Sequence, residues 1–292
     1  IPFPGDPEHT VYVWFDALIN YITAAGFPAP GWERLWPADV HVIGKGITRL
    51  HCCLWPAMLL AAELPLPRMI WAHGYVQWEG AKVSKSAGAA VSVDEAIARH
   101  GADALRYFLL REVGFAGDGN FTWERFDERY TADLADGLGN LVSRALAMLA
   151  KYREGIVPPQ SAETSLDAAG IQAVEAYARA MDQLELRGGA EIVGKLVTEA
   201  NHYIVQVAPW TLAKEGRDPE LEQALASLAR CLYRLAVLGS PFLPDKAQTL
   251  WHSLGRDGTP GDAGWPALLS PPVAGNRTVR SSVLFPKPEH AG

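Results

Sequence analysis

Hydrophobic and polar positions follow two rhythms along this chain, and the change between them falls near residue 127. Before it, short β-prone runs alternate with stretches of helical spacing. Val11 to Phe15, Val40 to Ile43 and Met69 to Val76 read as strands, the last as a buried one; Asp16 to Ala25 and Ile47 to Glu63 read as helices, the first closed by Gly26 and the second interrupted at Pro56. Ile1 to Gly5 reads as a loop entering a strand, and Phe27 to Pro37, rich in proline and tryptophan, as a loop. Strand, helix and strand in this order predict a parallel sheet covered by helices, with ligands at the carboxyl ends of the strands. Ser92 to Glu95 has the spacing of a capping box and opens two short helices, Ser92 to His100 and Ala102 to Arg111, split at Gly101. With residues 117–126 they form a compact connector. After residue 127 the strand signal disappears. Asp127 to Tyr152, Ser165 to Leu186, Gly188 to Val207 and Leu221 to Leu238 are four amphipathic stretches, the pattern of a helical bundle. Gly255 to Pro272 reads as a linker, and Ser282 to Lys287 is a brief apolar run. The fold class is therefore α/β followed by all-α.

Composition narrows the function more than the fold. With 292 residues, 49% of them hydrophobic, the chain can bury a sizeable core in one or two domains. No apolar run is long enough for a membrane span and no secretory segment opens the chain, so the reading is a soluble, cytoplasmic protein without a membrane partner. Cys52, Cys53 and Cys231 have neither zinc-ligand nor disulfide spacing, which fits a reducing compartment and no metal site; adjacent Cys52 and Cys53 read as packed helix residues. A formal net charge of −7 excludes a nonspecific nucleic-acid coat but leaves RNA read through local patches and stacking. The chain opens on Ile1 rather than methionine, as if cut from the middle of a longer protein.

Candidate chemistry concentrates in Lys82-Val83-Ser84-Lys85-Ser86, set between a strand and a helix start. Two ammonium groups and two hydroxyls on such a loop suit a polyphosphate. Ile47, His51, Leu54 and Met58 recur at helical spacing, so His51 shares an otherwise apolar face. Asn140 and Arg144 lie four apart on one helix face, and Trp210 follows Pro209 at a helix end.

The lysine loop resembles the Lys-Met-Ser-Lys-Ser signature of class I aminoacyl-tRNA synthetases, with Val83 for Met. Val13 to Tyr21, His41 to Lys45, Leu54 to Ala57 and His73 to Val76 resemble, in order, blocks of the methionyl-tRNA synthetases, and the resemblance runs over nearly the whole chain. It implies the second half of a Rossmann-like nucleotide-binding domain over residues 1–90, a stem-contact connector over 91–126, an anticodon-binding helical bundle over 127–255, and a linker and tail over 256–292 that pack back on the catalytic half. The activity implied is ATP-dependent formation of methionyl-adenylate and transfer to tRNA(Met), with Mg²⁺ on the ATP phosphates. By the same resemblance Lys82 and Lys85 are catalytic and meet the charge on the leaving pyrophosphate. His73, Gly74, Tyr75, Lys82, Val83, Ser84, Lys85 and Ser86 bind ATP. Trp14, Ala17, Tyr21, Ile47 and His51 line the methionine pocket, and Asn140, Arg144 and Trp210 read the CAU anticodon. One departure stands out: the family motif Gly-Lys-Asp ends here in Gly46, which removes a carboxylate near the adenylate. The family's His-Ile-Gly-His motif and zinc-bearing insertion are absent from the sequence and are expected before Ile1, so the expectation is a partial chain not competent alone. The alternative is a non-catalytic tRNA-binding module of the same descent. A leucyl or cysteinyl enzyme would keep the lysine loop without sharing Trp14, Tyr21, His51 and Trp210 together. Oligomeric state is left open.

Overall fold

The computed structural model describes residues 2–10, 12–78, 81–82, 92–113, 117–159, 162–280 and 282–287. The chain divides into two compact units, Ile1–Tyr75 with Phe115–Asp118, and Val76–Gly114 with Gly119–Gly292.

In the first unit, β1 (Pro2–Phe3) and β2 (Asp6–Thr10) form an antiparallel hairpin. Its turn contains Gly5 at φ 84°, a backbone conformation that favours glycine. Of the strand expected over Val11 to Phe15, Val13 to Phe15 are instead helix and Val11 lies outside the described residues: α1 (Val13–Ala17) runs into α2 (Asn20–Ala25). The reason is burial. Trp14, Leu18, Tyr21, Ile22 and Ala25 share a face at helical spacing, and Leu18 and Ile22 enter the core while β-prone Val13 and Phe15 stay exposed. β3 (His41–Gly44) pairs in parallel with β4 (Ile70–His73), from His41 opposite Ile70 to Gly44 opposite His73. The crossover contains a tight turn at Lys45–Ile47, a wide i→i+5 turn at Leu50–Leu54 and α3 (Trp55–Ala61). Pro56, which has no amide hydrogen to give, sits in the first turn of α3 just after the wide turn. Cys52 and Cys53, expected to pack, are exposed on that turn. The core is Leu18, Ile22, Trp36, Trp55 and Leu59, with Trp14, Tyr21, Leu54 and Met58 packed against it.

The buried strand expected from Met69 to Val76 is two strands, and β4 is only partly buried. The break falls at Gly74, where the backbone comes too close to Gly117 to continue as pleated sheet with side chains: an added Cβ would lie 1.9 Å from the Gly117 carbonyl oxygen.

The second unit opens with a small sheet in which β5 (Val76–Trp78) lies between antiparallel β6 (Ala81–Lys82) and parallel β7 (Gly119–Phe121). Ser92 caps α4 (Val93–His100), its hydroxyl accepting the Glu95 N–H at 3.3 Å, and α5 (Ala102–Glu112) follows. The helix expected from Asp127 starts earlier, at α6 (Trp123–Arg129), because Thr122 is its N-cap. It continues through an i→i+5 stretch, Tyr130–Gly139, into α7 (Asn140–Arg153). α8 (Ser165–Asp182), α9 (Leu186–Val207) and α11 (Asp218–Gly239) answer to the remaining periodic stretches. The short helices α10 (Pro209–Glu215) and α12 (Pro244–Ser253) go beyond them. The supposed linker holds α13 (Trp265–Leu269), opened by Gly264 and Pro266.

α11 is the axis of this unit, packed against α7, α8, α9, α10 and α12. Beside it, Asp167 receives Arg230 at 2.7 Å and Arg234 at 3.4 Å. Burial works against the Asp167 carboxylate, yet the hydrogen bonds and charge of Arg230, with Ser227 and the Thr164 amide, hold it well below the usual carboxylate range. The Cys231 thiol, wholly buried on α11, is pushed up to about 12 by desolvation. The tail run buries Leu284 and Phe285 in this unit's core, with Tyr130 donating to the Pro286 carbonyl at 2.7 Å. No described helix is long and apolar enough to cross a membrane.

Candidate functional site

His51 is the centre of the first unit's polar chemistry, and it is wholly buried. Its Nδ1 lies 3.0 Å from the Ile47 carbonyl, which can only accept, so Nδ1 carries the hydrogen. Nε2 then accepts from the Tyr21 hydroxyl at 2.9 Å. Burial raises the Tyr21 pKa, which keeps that hydrogen in place. Trp14 meets the His51 ring edge-on, with centroids 6.0 Å apart. The helix pair α1–α2 thus brings Trp14 and Tyr21 to the crossover that carries Ile47 and His51. Ala17, at the end of α1, is half-buried. A hydrogen-bonded imidazole–phenol pair walled by aromatic faces suits a polarizable side chain such as a thioether.

Two residues given no role in the sequence hold this arrangement. His41 lies against the Tyr21 ring at 4.3 Å between centroids and accepts the Trp55 indole N–H on Nε2 at 3.2 Å. Burial lowers its pKa, helped by nearby His51, so His41 is neutral. Trp55 also packs edge-on to Trp36, whose indole N–H donates to the Pro65 carbonyl at 2.8 Å. The period of two in β3, His41 and Ile43 buried around exposed Val42, was the signal that His41 faces inward.

At the carboxyl ends of β3 and β4 a second cluster forms. His73 Nδ1 donates to the Gly74 carbonyl at 2.8 Å. The Tyr75 N–H donates to Asp118 Oδ1 at 2.8 Å, and the same oxygen pairs with the Lys45 ammonium at 2.6 Å. Lys45 also lies 5.1 Å from the Tyr75 ring centroid. The Tyr75 hydroxyl occupies the space where a side chain at Gly46 would start: an added Cβ there would lie 1.8 Å from it. Asp118 is the residue sequence reasoning missed here, brought in from far along the chain. Lys82 pairs through its backbone with Gln77 in the β5–β6 ladder, while Val83, Ser84, Lys85 and Ser86 lie outside the described residues.

In the helical unit, Asn140 is the exposed first residue of α7 and Arg144, one turn on, is half-buried. Neither side chain makes a hydrogen bond or ion pair among the described residues. Trp210, 46% exposed, lies at a helix end as expected. It is the second residue of α10, after Ala208 at φ 46° ends α9 and Pro209 starts the next helix.

The family described as "tRNA synthetases class I (M)" matches residues 1–146, and the "Anticodon binding domain of methionyl tRNA ligase" matches residues 157–291. The methionine–tRNA ligase of Caldanaerobacter subterraneus is 42% identical over 300 residues, covering 98% of this chain and 46% of that protein. That of Brucella suis is 42% identical over 296 residues, covering 98% of this chain and 56% of that protein. Mycobacterium tuberculosis methionyl-tRNA synthetase, solved in complex with methionyl-adenylate, superposes with a TM-score of 0.86 at 34% identity, covering 98% of this chain and 58% of that one. The chain spans about half the length of the curated relatives it matches. Two matched regions in the family's order, α/β part first and helical part second, identify this chain as a member of the class I methionyl-tRNA synthetase family.

Proposed function

We propose that this chain supplies the methionine pocket and the anticodon-binding bundle of a cytoplasmic methionine–tRNA ligase, which activates methionine with ATP and Mg²⁺ and charges tRNA(Met). The observation that carries the reading is the hydrogen-bonded Tyr21–His51 pair beside Trp14. In this reading Trp14, Ala17, Tyr21, Ile47 and His51 hold the methionine side chain, and His73, Gly74 and Tyr75 with the loop from Lys82 to Ser86 take ATP. Lys82 and Lys85 neutralise the departing pyrophosphate. Asn140, Arg144 and Trp210 read the anticodon loop, by hydrogen bonds and stacking. Residues 1–90, 91–126, 127–255 and 256–292 are the corresponding catalytic, connecting, anticodon and tail segments.

The test is methionine-dependent exchange between ATP and labelled pyrophosphate with this chain alone and with the amino-terminal portion of a relative fused ahead of Ile1. Exchange is expected from the fusion and not from the chain. Exchange by the chain alone would refute the division of labour, and fusion exchange indifferent to methionine would refute the pocket.

The placement of Tyr75 favours one second reading, a tRNA-binding module without catalysis. Its hydroxyl fills the space that a carboxylate at position 46 would use. Restoring exchange in an inactive fusion by Gly46→Asp with Tyr75→Ala would support the module; an active unmodified fusion excludes it.

A further inference from the structure

The helix bearing Asn140 and Arg144 is set by what precedes it. Through Tyr130–Gly139 the backbone closes i→i+5 turns, a geometry that recurs at functional positions. Its glycines fit the wide turn: an added Cβ at Gly137 or Gly139 would lie 3.1 Å from the carbonyl oxygen of Ala132 or Leu134 respectively. Where the stretch ends, the Asn140 N–H is shared between the Ala135 and Gly137 carbonyls.

The Gly137 carbonyl takes a second donor from another helix. Asn201 of α9 places Nδ2 3.3 Å from it, and the same nitrogen donates to the Val197 carbonyl at 3.1 Å. Two acceptors around one nitrogen fix the amide orientation, since the flipped group would set an oxygen against both carbonyls. Oδ1 is then buried with no hydrogen-bond partner among the described residues. Leucine, of similar size, would avoid that unsatisfied atom. What asparagine keeps is the donor at the junction. Asn201 also belongs to the helix that leads through Ala208 and Pro209 into the one carrying Trp210.

We propose that Asn201 is a positioning residue for anticodon recognition: by holding the Gly137 carbonyl it fixes the azimuth at which α7 presents Asn140 and Arg144. The lever is large. Relaxing the stretch by a single residue toward i→i+4 bonding turns everything downstream by about 100°. The proposal rests on the anticodon reading given above.

The test uses this chain and a short RNA hairpin with a CAU loop, with fluorescence anisotropy for affinity and thermal melting for stability. Asn201→Leu is expected to weaken binding about tenfold and to blunt discrimination against a hairpin with a changed loop base, while the melting temperature holds or rises. A merely structural asparagine would lose affinity only in step with stability. Should Asn201→Leu prevent folding, Gly137→Ala disturbs the same junction and is expected to weaken binding in the same way. Unchanged affinity in a folded Asn201→Leu, or in Gly137→Ala where the first does not fold, overturns the proposal. Trp210→Ala separates the two ideas. If the unmodified chain fails to distinguish CAU from a scrambled loop, or Trp210→Ala binds normally, the anticodon reading fails and this proposal with it. If Trp210→Ala weakens binding and the junction variant does not, this proposal alone fails.

Discussion

Tyr21→Phe is the sharpest probe of the proposed methionine pocket, because it deletes one oxygen and little else. His51 is wholly buried and its two ring nitrogens are both engaged, Nδ1 with the Ile47 carbonyl and Nε2 with the Tyr21 hydroxyl. Removing the hydroxyl leaves Nε2 as a buried acceptor without a donor, at a cost of about 1–3 kcal/mol. His51→Phe loses the same bond together with the one to Ile47, so the double variant should cost less than the sum of the singles. The coupling energy is expected to be about 1 kcal/mol. Urea unfolding followed by the His51 Cε1–H resonance reports on this unit rather than the helical one, and an unchanged slope with denaturant would confirm that only stability moved. In the same samples His51 should carry its hydrogen on Nδ1 in the native chain. A coupling energy near zero, or a hydrogen on Nε2, would refute the reasoning, since the phenol could not then be the donor.

Three further predictions follow from the same geometry. The His41 pKa is lowered by burial and by nearby His51, so the unfolded chain binds that proton more readily. The first unit's stability should therefore be full above about pH 6.5 and fall as pH drops toward the depressed native value, and His41→Phe should flatten that slope in pH-dependent urea melts. Asp167→Asn leaves Arg234, 1% exposed, facing a neutral amide, which should cost about 3–5 kcal/mol and lower the helical unit's melting temperature by roughly 10 °C. The Asp167 carboxylate is depressed, so its contribution is present above about pH 4 and lost on further acidification; Asn should remove that loss, and a melting temperature within experimental error of the unmodified chain would contradict the account. Gly46→Ala drives a Cβ to within 1.8 Å of the Tyr75 hydroxyl and should destabilise the first unit by about 1–3 kcal/mol. Tyr75→Ala should relieve that cost, and additivity of the two in urea melts would rule out the overlap.

The legibility of the sequence was uneven for identifiable reasons. α8, α9 and α11 follow apolar repeats long enough to be unambiguous, and the cap at Ser92 marks where α4 begins. Val11 to Phe15 reads as a strand from its β-prone composition alone, and the burial of Leu18 and Ile22 that makes Val13–Ala17 helical lies outside that segment. α10, α12 and α13 are short, with too few turns for periodicity to show, and each has in its first two residues a proline that reads equally well as a loop residue. Cys52 and Cys53 were expected to pack because a regular helix was assumed where a wide turn exposes them.

The sequence by itself determined the order of an α/β part and a helical part, and the family, through ordered motifs whose residues are close in the chain. Tertiary structure alone decided the partners that lie far apart: Tyr21 with His51, Asp118 with Lys45 and Tyr75, and Asn201 with Gly137. Periodicity and capping are local consequences of backbone geometry and can be read from one segment. A hydrogen bond between distant segments depends on how whole elements pack, and no single segment carries that information.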